Sequence, residues 1–232
     1  MKNKFLFTFL LLILIFSIKK KLQAQSQEFR VVYIEQTVIE KDSFKLKYNI
    51  PNTKMELLYR NNESLWQMTD KEETLSKGVP VYTLQGEYVY TMGMENSEVK
   101  LYTNYLEKKV IENRVIAGKI FLLKSNLKTF KWKISGEQDT IAGYTCMKAV
   151  LQNDTNNVVA WFTPQIPVSV GPSGYGQLPG LILKLEMKNG SDIYRASLVE
   201  QKPLQSDAIV IPTKGKEVTE EEFIKLQKVN RD

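Results

Sequence analysis

The stretch from Trp161 to Ile182, WFTPQIPVSVGPSGYGQLPGLI, constrains the fold more than any other part of the chain. It holds half of the eight prolines and a third of the twelve glycines: Pro164, Pro167, Pro172, Pro179, Gly171, Gly174, Gly176 and Gly180. Proline fixes φ and lacks an N–H donor, and glycine accepts positive φ, so neither a helix nor a central strand fits here. Large apolar residues are interleaved through the segment, unlike in a flexible linker. The pattern predicts a long, stiff surface loop that packs against the protein.

The first 24 residues have the pattern of a signal peptide. Lys2 and Lys4 precede an apolar run from Phe5 to Ile18. This run is shorter than the roughly 20 apolar residues that span a bilayer, and a cleavage site follows at Ala24. We therefore expect export to the periplasm or outer envelope, with cleavage after Ala24. Three lysines directly behind the apolar run leave a retained anchor open as the alternative.

The net charge, length and cysteine content of the chain limit its expected partners, domains and disulfides. The whole chain carries +6, but residues 1–24 hold five lysines and no acid, so the mature chain has 27 basic and 26 acidic residues and a charge of +1. A chain so balanced is not expected to bind nucleic acid. Residues 25–232 suffice for one hydrophobic core and are predicted to form a single domain. The single cysteine, Cys146, allows no internal disulfide.

Short strand patterns dominate the mature chain. The predicted strands cover residues 29–34, 43–50, 54–59, 64–68, 88–92, 99–105, 110–116, 119–123, 130–134, 140–151, 158–163, 181–187 and 193–199. Turns are predicted at 61–62, 136–139 and 188–191, the last as a tight two-residue Asn-Gly turn, and residues 69–80 are predicted to form a loop or a short helical turn. Thr219 and Glu222 form a capping-box pattern that begins a helix to about Lys228. The predicted fold is mainly β, a single domain with a large curved antiparallel sheet of about 10–12 strands and a short C-terminal helix.

The chain contains no histidine, which excludes Ser-His-Asp and Cys-His catalysis and the usual catalytic zinc sites. It also has no phosphate-binding or dinucleotide motif, so we expect no metal and no cofactor. Cys146 lies within a strand pattern and is interpreted as a small buried hydrophobe rather than a nucleophile. Glu137 and Asp139 lack an acidic partner in the sequence, so a catalytic carboxylate pair would arise only through folding.

Two interpretations remain open for the aromatic and loop residues. Trp66, Trp132 and Trp161 lie in strand patterns, where they either fill a core or line an apolar cavity in a curved sheet. Tyr175 and Gln177 lie in the predicted loop, which either presents side chains to partners or closes one end of the sheet. The candidate binding or loop-forming residues are Trp161, Pro164, Pro167, Gly171, Pro172, Tyr175, Gln177, Leu178, Pro179 and Gly180.

Three blocks of sequence stand out together. They are WKI at 132–134 with DTIAGYTCMKA at 139–149, then AWFTPQIPV at 160–168, and last Gly171-Pro172 with Tyr175 and LPGLI at 178–182. In combination they resemble the GLPGLI family of Bacteroidetes envelope proteins. The family signature begins with a glycine where this chain has Gln177. If that position requires positive φ, Gly176 is expected to supply it.

The resemblance implies an exported protein and carries over no catalytic residue. A curved antiparallel sheet with a helix is similar to the lipoprotein-carrier fold, which shelters an apolar ligand, although fold does not define function. The favoured hypothesis is a non-enzymatic exported protein that binds an apolar small molecule or an envelope protein and contacts the membrane only through an uncleaved signal or a partner. The alternatives are an assembly protein that binds through the Pro164–Ile182 loop or a free sheet edge, and a histidine-independent hydrolase.

Overall fold

The computed structural model describes residues 27–41, 46–49, 53–69, 79–83, 86–90 and 99–229. Within these residues the chain forms fifteen β-strands and one α-helix, with short 3-10 turns at Pro172–Gly174 and Lys188–Gly190. The strands are β1 (Phe29–Lys41), β2 (Leu46–Asn49), β3 (Thr53–Arg60), β4 (Glu63–Met68), β5 (Val79–Thr83), β6 (Gly86–Tyr90), β7 (Lys100–Asn104), β8 (Lys109–Ile116), β9 (Lys119–Asn126), β10 (Trp132–Ile141), β11 (Tyr144–Leu151), β12 (Val159–Thr163), β13 (Leu181–Met187), β14 (Asp192–Glu200) and β15 (Lys216–Val218), and the helix is α1 (Glu220–Val229). The predicted signal peptide at 1–24 lies outside the described residues.

Twelve strands form one large open sheet in the order β10-β11-β12-β13-β14-β1-β3-β4-β7-β8-β9-β15. Neighbouring strands are antiparallel except β9 and β15, which run parallel. β2 pairs with β1 off this path, and β5 and β6 form a separate hairpin. The structure therefore confirms the predicted mainly-β class, with its large antiparallel sheet and short C-terminal helix.

Two local predictions are confirmed by backbone geometry and hydrogen bonds. Asn61 and Asn62 connect β3 and β4 with φ values of 51° and 64°, the positive values that a two-residue hairpin turn requires. At the start of α1, the backbone N–H of Glu222 donates to Thr219 Oγ1 at 3.2 Å, and the N–H of Thr219 donates to Glu222 Oε2 at 2.8 Å. This reciprocal pair is the predicted capping box.

The turn predicted at residues 136–139 is wrong. These residues belong to β10, which accommodates them by a register shift against β11 between Ile134 and Gln138. A bulge of this kind bends a strand without ending it, so polar and glycine residues do not mark a turn here. The chain reverses instead at Ala142 and Gly143, where φ is 49° and 84°.

The turn predicted at 188–191 between β13 and β14 has the predicted bounds but not the predicted type. Met187 pairs with Asp192, so four residues connect the strands rather than two. Asn189 and Gly190 do have positive φ, but so does Lys188, which lengthens the turn. The sequence pattern predicted positive φ at Asn189 and Gly190 but not at Lys188.

Two strands, β5 and β15, were not predicted from the sequence patterns. β5 covers residues 79–83, whose first two positions fall in the segment predicted as a loop or helical turn, and it pairs with β6. β15 has only three residues, and it pairs with β9, which lies far earlier in the sequence. Three residues are too few to show an alternating pattern, so only the tertiary fold defines this strand.

The loop between β12 and β13 covers one face of the sheet, and the irregular segment between β14 and β15 covers the other. Ile166, Val168 and Val170 of the loop are buried in a cluster with Tyr33 and Trp66 of the central strands. On the opposite face, a cluster of strand residues packs against the irregular segment between β14 and β15; it contains Leu58, Leu65, Tyr102, Leu204, Ala208 and Ile209. The sheet is thus covered on both faces where the loop crosses it.

Candidate functional site

The loop from Pro164 to Gly180 is a folded-back extended segment that lies flat on the sheet. Alternate residues are buried and exposed, as at Ile166, Pro167 and Val168. Val170 and Gly176 form an isolated antiparallel bridge, which brings the two arms of the loop together. The alternation is typical of extended chain packed on one side, and it shows the stiff, packed loop expected from the sequence.

Two glycines let the loop approach other backbone segments too closely for a side chain. A Cβ added at Gly180, whose φ is +158°, would lie 2.1 Å from the carbonyl oxygen of Thr163. A Cβ added at Gly176 would lie 2.4 Å from the carbonyl oxygen of Ser169. Both distances are far below any van der Waals contact, so both positions require glycine for space, and Gly180 also requires it for its positive φ.

Gln177 has the left-handed conformation that the sequence analysis assigned to Gly176. Its φ is 66°, whereas Gly176 is not among the described glycines with positive φ. The expectation that Gly176 supplies the positive φ is therefore wrong. Two hydrogen bonds offset the strain: Gln177 Nε2 donates to the carbonyl oxygen of Lys128 at 2.6 Å, and Gln177 Oε1 accepts from the backbone N–H of Phe130 at 3.0 Å.

An aromatic group fixes the loop tip to the start of β10. The ring of Tyr175 stacks on Phe130 with centroids 4.9 Å apart and an interplanar angle of 24°. Trp132 meets Tyr175 edge-on, and its Nε1 donates to the carbonyl oxygen of Gly176 at 2.8 Å. Tyr175 is half-buried, and burial raises the pKa of its hydroxyl. The hydroxyl of Tyr175 therefore stays neutral. Together with the stacked rings of Tyr175 and Phe130, it gives the loop tip a fixed, amphipathic surface.

The stacked rings of Tyr175 and Phe130 form one wall of a cleft of about 370 Å³, which we call the loop cleft. Its other walls come from β7, β8, the end of β9 and Met187, with residues 173–175 at the loop tip. Three charged side chains line it, namely Glu112, Arg114 and Lys128. The cleft therefore combines an apolar, ring-lined wall with a charged one.

An ion-pair network holds the charged wall in place. Arg114 NH2 lies 2.7 Å from Glu112 Oε1, and Arg114 NH1 lies 3.1 Å from Glu220 Oε1 at the start of α1. The guanidinium also lies over the ring of Phe223, 5.1 Å from its centroid. Lys128 is exposed, and no carboxylate of the described chain lies within ion-pair distance of it. Arg114 is thus engaged, while Lys128 has no carboxylate partner among the described residues.

A second cleft of about 600 Å³ adjoins the loop cleft at the same strands, and Val110, Ser125 and Asn126 line both. Leu101 lines the loop cleft and Tyr102 lines the second one, as expected of neighbours in a strand. The Tyr102 hydroxyl donates to Glu63 Oε1, and burial together with this carboxylate raises the pKa of Tyr102 to about 12. Both lysines that line the second cleft are engaged: Lys124 pairs with Glu217 at 2.7 Å, and Lys109 Nζ donates to Asn126 Oδ1 at 2.8 Å. We therefore regard the loop cleft as the candidate site.

The remaining predicted residues do not converge on the loop cleft. Trp161 lies between Lys148 and Lys184, whose Nζ atoms are 5.8 and 5.9 Å from its ring, and its Nε1 donates to Glu186. Gly171, Pro172 and Leu178 are buried, while Pro164, Pro167 and Pro179 are exposed along the outer surface of the loop. Of the predicted set, only Tyr175 lines the loop cleft, and Gln177 positions the segment that carries Phe130 and Lys128.

Lining residues of the loop cleft that were not predicted from the sequence include Leu101, Arg114, Lys128, Phe130 and Met187. They come from separate strands and connections, so no spacing along the chain relates them. Phe130 stood in a strand pattern, and its two-residue spacing from Trp132 was the one indication of an aromatic surface there.

Cys146 and Trp66 have the structural roles considered for them. Cys146 is fully buried, and burial together with Asp139 raises the pKa of its thiol to about 11. Trp66 is buried in the core, edge-on to both Tyr33 and Tyr194. Neither side chain lines the loop cleft or the second cleft.

Metal-binding and membrane-spanning features are both absent from the part of the chain that the structure describes. Within it, no group of three or more His, Cys, Asp or Glu side chains is placed to hold a metal ion. No helix in the described ranges has the length and apolar character needed to cross a membrane.

Comparisons with known proteins give one family model and similar solved structures. A family model described as a protein of unknown function (Porph_ging) matches residues 151–184, which include β12, the loop and the start of β13. No curated protein sequence matches the chain. Two crystal structures of PNGF-II, in the P21 and C2 space groups, are similar with TM-scores of 0.56 and 0.57 at 19% sequence identity. The similarity covers 88% of this chain but only 34% and 33% of the PNGF-II chains, so this chain spans about a third of their length, and it shows the fold alone.

Proposed function

We propose that this chain is an exported, non-enzymatic binding protein whose ligand site is the loop cleft. The observation that carries the proposal is the fixed position of the cleft wall formed by Tyr175 and Phe130. Trp132 and Gln177 hold this wall by hydrogen bonds to backbone groups. A wall ordered before the ligand arrives lowers the entropy cost of binding.

The size and composition of the loop cleft favour a small molecule. Ligand sites typically measure about 300–1,000 Å³, and the loop cleft has about 370 Å³. The aromatic residues Tyr33 and Trp66 are packed in the core, which supports a ligand position beside the loop rather than within the sheet. Glu112 is engaged by Arg114 at 2.7 Å, which favours a structural role for this carboxylate over acid–base catalysis.

Export and family membership are part of the proposal. The basic start, the short apolar run and Ala24 support a cleaved signal peptide. The LPGLI residues at 178–182 support membership of the GLPGLI family, and the match to a family of unknown function over residues 151–184 includes them.

Native mass spectrometry of the full chain, expressed with its own N-terminus and purified from the periplasm, tests the proposal. We expect the mass of residues 25–232 with a bound small molecule that denaturing extraction releases. Tyr175→Ala should reduce ligand occupancy. Tyr144→Ala, which alters another half-buried tyrosine away from the loop cleft, should leave it unchanged. A wild-type protein free of ligand in every preparation would contradict the binding function, and an uncleaved mass would contradict the signal peptide.

A second candidate function, attachment to an envelope protein, is favoured by the free edge of the sheet. β10 ends the sheet and, among the described strands, pairs only with β11. An extended segment of a partner could add to this ten-residue edge by backbone hydrogen bonds. A photo-crosslinking residue at Gln138 should then yield a defined adduct in cells, whereas one at Lys119 should not. Equal labelling from both positions would count against an edge partner.

A further inference from the structure

One wall of the loop cleft is apolar and includes two aromatic rings. Tyr175 and Phe130 stack with their centroids 4.9 Å apart, and both are half-buried. Leu101 and Met187 extend the apolar surface beside them. The edges and outer faces of a stacked ring pair can pack against a flat apolar group.

The side chains that line the loop cleft include two cations, Arg114 and Lys128, and one carboxylate, Glu112. Glu112 and Arg114 neutralise each other across 2.7 Å, and Arg114 also bonds to Glu220. Lys128 adds an ammonium group without a carboxylate partner in the described chain. Its backbone carbonyl accepts a hydrogen bond from Gln177, so the same contact that positions the loop also positions Lys128.

We propose that the loop cleft selects a compact organic anion, with its flat apolar part against Tyr175 and Phe130 and its acidic group facing Lys128. The proposal rests on the proposed binding function and narrows its ligand from any small molecule to an amphipathic anion. A cleft of about 370 Å³ suits a compact molecule of up to three rings, because small-molecule sites enclose most of the ligand surface.

A matched pair of fluorescent probes tests this selectivity. 8-Anilinonaphthalene-1-sulfonate is an amphipathic anion, and N-phenyl-1-naphthylamine is the same ring system without the sulfonate. Titration of the purified mature protein should show one site for each probe, with the anion bound about fivefold more tightly at low salt, as expected of one exposed ion pair. High salt should remove this preference, since exposed charges are screened.

Variants assign the preference to particular residues. Lys128→Glu should weaken binding of the anionic probe more than binding of the neutral probe, which abolishes the preference for the anion. Lys119→Glu, the same charge reversal at an exposed position outside the loop cleft, should change neither. Tyr175→Ala should weaken both probes by about tenfold, and Tyr175→Phe should retain both, because the ring supplies the contact. Lys128 is exposed, so its variant is expected to fold normally.

The outcomes separate the ligand class from the binding function. If both probes bind equally and depend on Tyr175, the anion proposal is overturned and the binding function stands. The anion proposal is likewise overturned if Lys128→Glu and Lys119→Glu act alike. If neither probe binds, or if binding ignores Tyr175, the loop cleft is not the ligand site and both proposals fail.

Discussion

The side-chain amide of Gln177 donates from Nε2 to the backbone carbonyl oxygen of Lys128 over 2.6 Å. Its Oε1 accepts from the backbone N–H of Phe130, so one side chain satisfies two backbone groups of the segment after β9. These bonds hold a residue with φ of 66°, a conformation that costs a non-glycine residue about 1 kcal/mol. The two hydrogen bonds of Gln177 therefore offset its backbone strain and hold the loop against the segment that carries Lys128 and Phe130.

Substitution at Gln177 separates the strain from the hydrogen bonds. Gln177→Ala loses both side-chain bonds and keeps the strain, so we expect a loss of about 2 kcal/mol in the free energy of unfolding. Gln177→Gly loses the same bonds but relieves the left-handed strain, and should be about 1 kcal/mol more stable than the alanine variant. Urea unfolding measures both, with the exposed Gln138→Ala as the control. Equal stability of the alanine and glycine variants would show that the backbone here is unstrained.

Gly180 is expected to tolerate no side chain. A Cβ at this position would lie 2.1 Å from the carbonyl oxygen of Thr163, so Gly180→Ala must displace backbone and should cost more than about 3 kcal/mol. Gly136→Ala is the matched control, because its Cβ would have no neighbour within 4 Å, and it should change stability by less than about 0.5 kcal/mol. Denaturant unfolding of the two variants compares them directly. A stable Gly180→Ala protein would mean that the loop can shift away from Thr163.

The loop could be predicted from sequence because its own residues dictate its character. Proline and glycine exclude regular structure, and interleaved apolar residues require burial whatever the rest of the chain does. Its detailed conformation could not be predicted, since Gln177 adopts positive φ only because Lys128 and Phe130 stand where its amide can reach them. Local propensity favours Gly176 for that role, and tertiary contacts override it.

The fold class could likewise be predicted from local sequence patterns, whereas the candidate site could not. Alternating patterns identify strands such as β13, and the capping box identifies α1. The loop cleft depends on the pairing of β4 with β7 and on the path of residues 125–130 across the loop tip. Those contacts join distant parts of the chain, and no pattern in a single sequence specifies them. Polar residues inside β10 also resemble a turn until the bulge between Ile134 and Gln138 is known.

Glu35 is expected to make stability depend on pH. Burial raises its pKa above the ordinary value of 4.5, although the hydrogen bond from the Tyr194 hydroxyl at 2.8 Å opposes the shift. The folded protein therefore holds this proton more tightly than the unfolded chain. The contribution of Glu35 to stability is full below pH 4.5 and is lost as the pH rises through the raised folded pKa.

Glu35→Gln tests this expectation by removing the ionisation while keeping an oxygen acceptor for Tyr194. The variant should be more stable than the wild type at pH 7 and should lose the decline in stability above pH 4.5. Thermal unfolding from pH 4 to pH 8 measures the difference, with Glu221→Gln on α1 as the control. A wild-type advantage at neutral pH would mean that ionised Glu35 is well solvated.

Cys146 should be unreactive in the folded protein. Its side chain is fully buried, and burial raises the pKa of the thiol to about 11, so little thiolate exists at pH 8 and reagents cannot reach it. We expect Ellman's reagent to modify native Cys146 at least about a hundredfold more slowly than the unfolded chain, since modification requires an opening of the structure. Lys119→Cys in a Cys146→Ala background provides an exposed thiol that should react at once.

The dependence of that slow rate on urea identifies the opening. β10 is a terminal strand and Asp139 lies opposite Cys146 in the β10–β11 pair, so detachment of β10 exposes the thiol without unfolding the core. Local detachment exposes little surface, and the rate should then be nearly independent of urea at low concentrations. A rate that rises steeply from the lowest urea concentration would instead require global unfolding and would show that the free edge of the sheet is as stable as its centre. Fast modification without urea would contradict the burial of Cys146 itself.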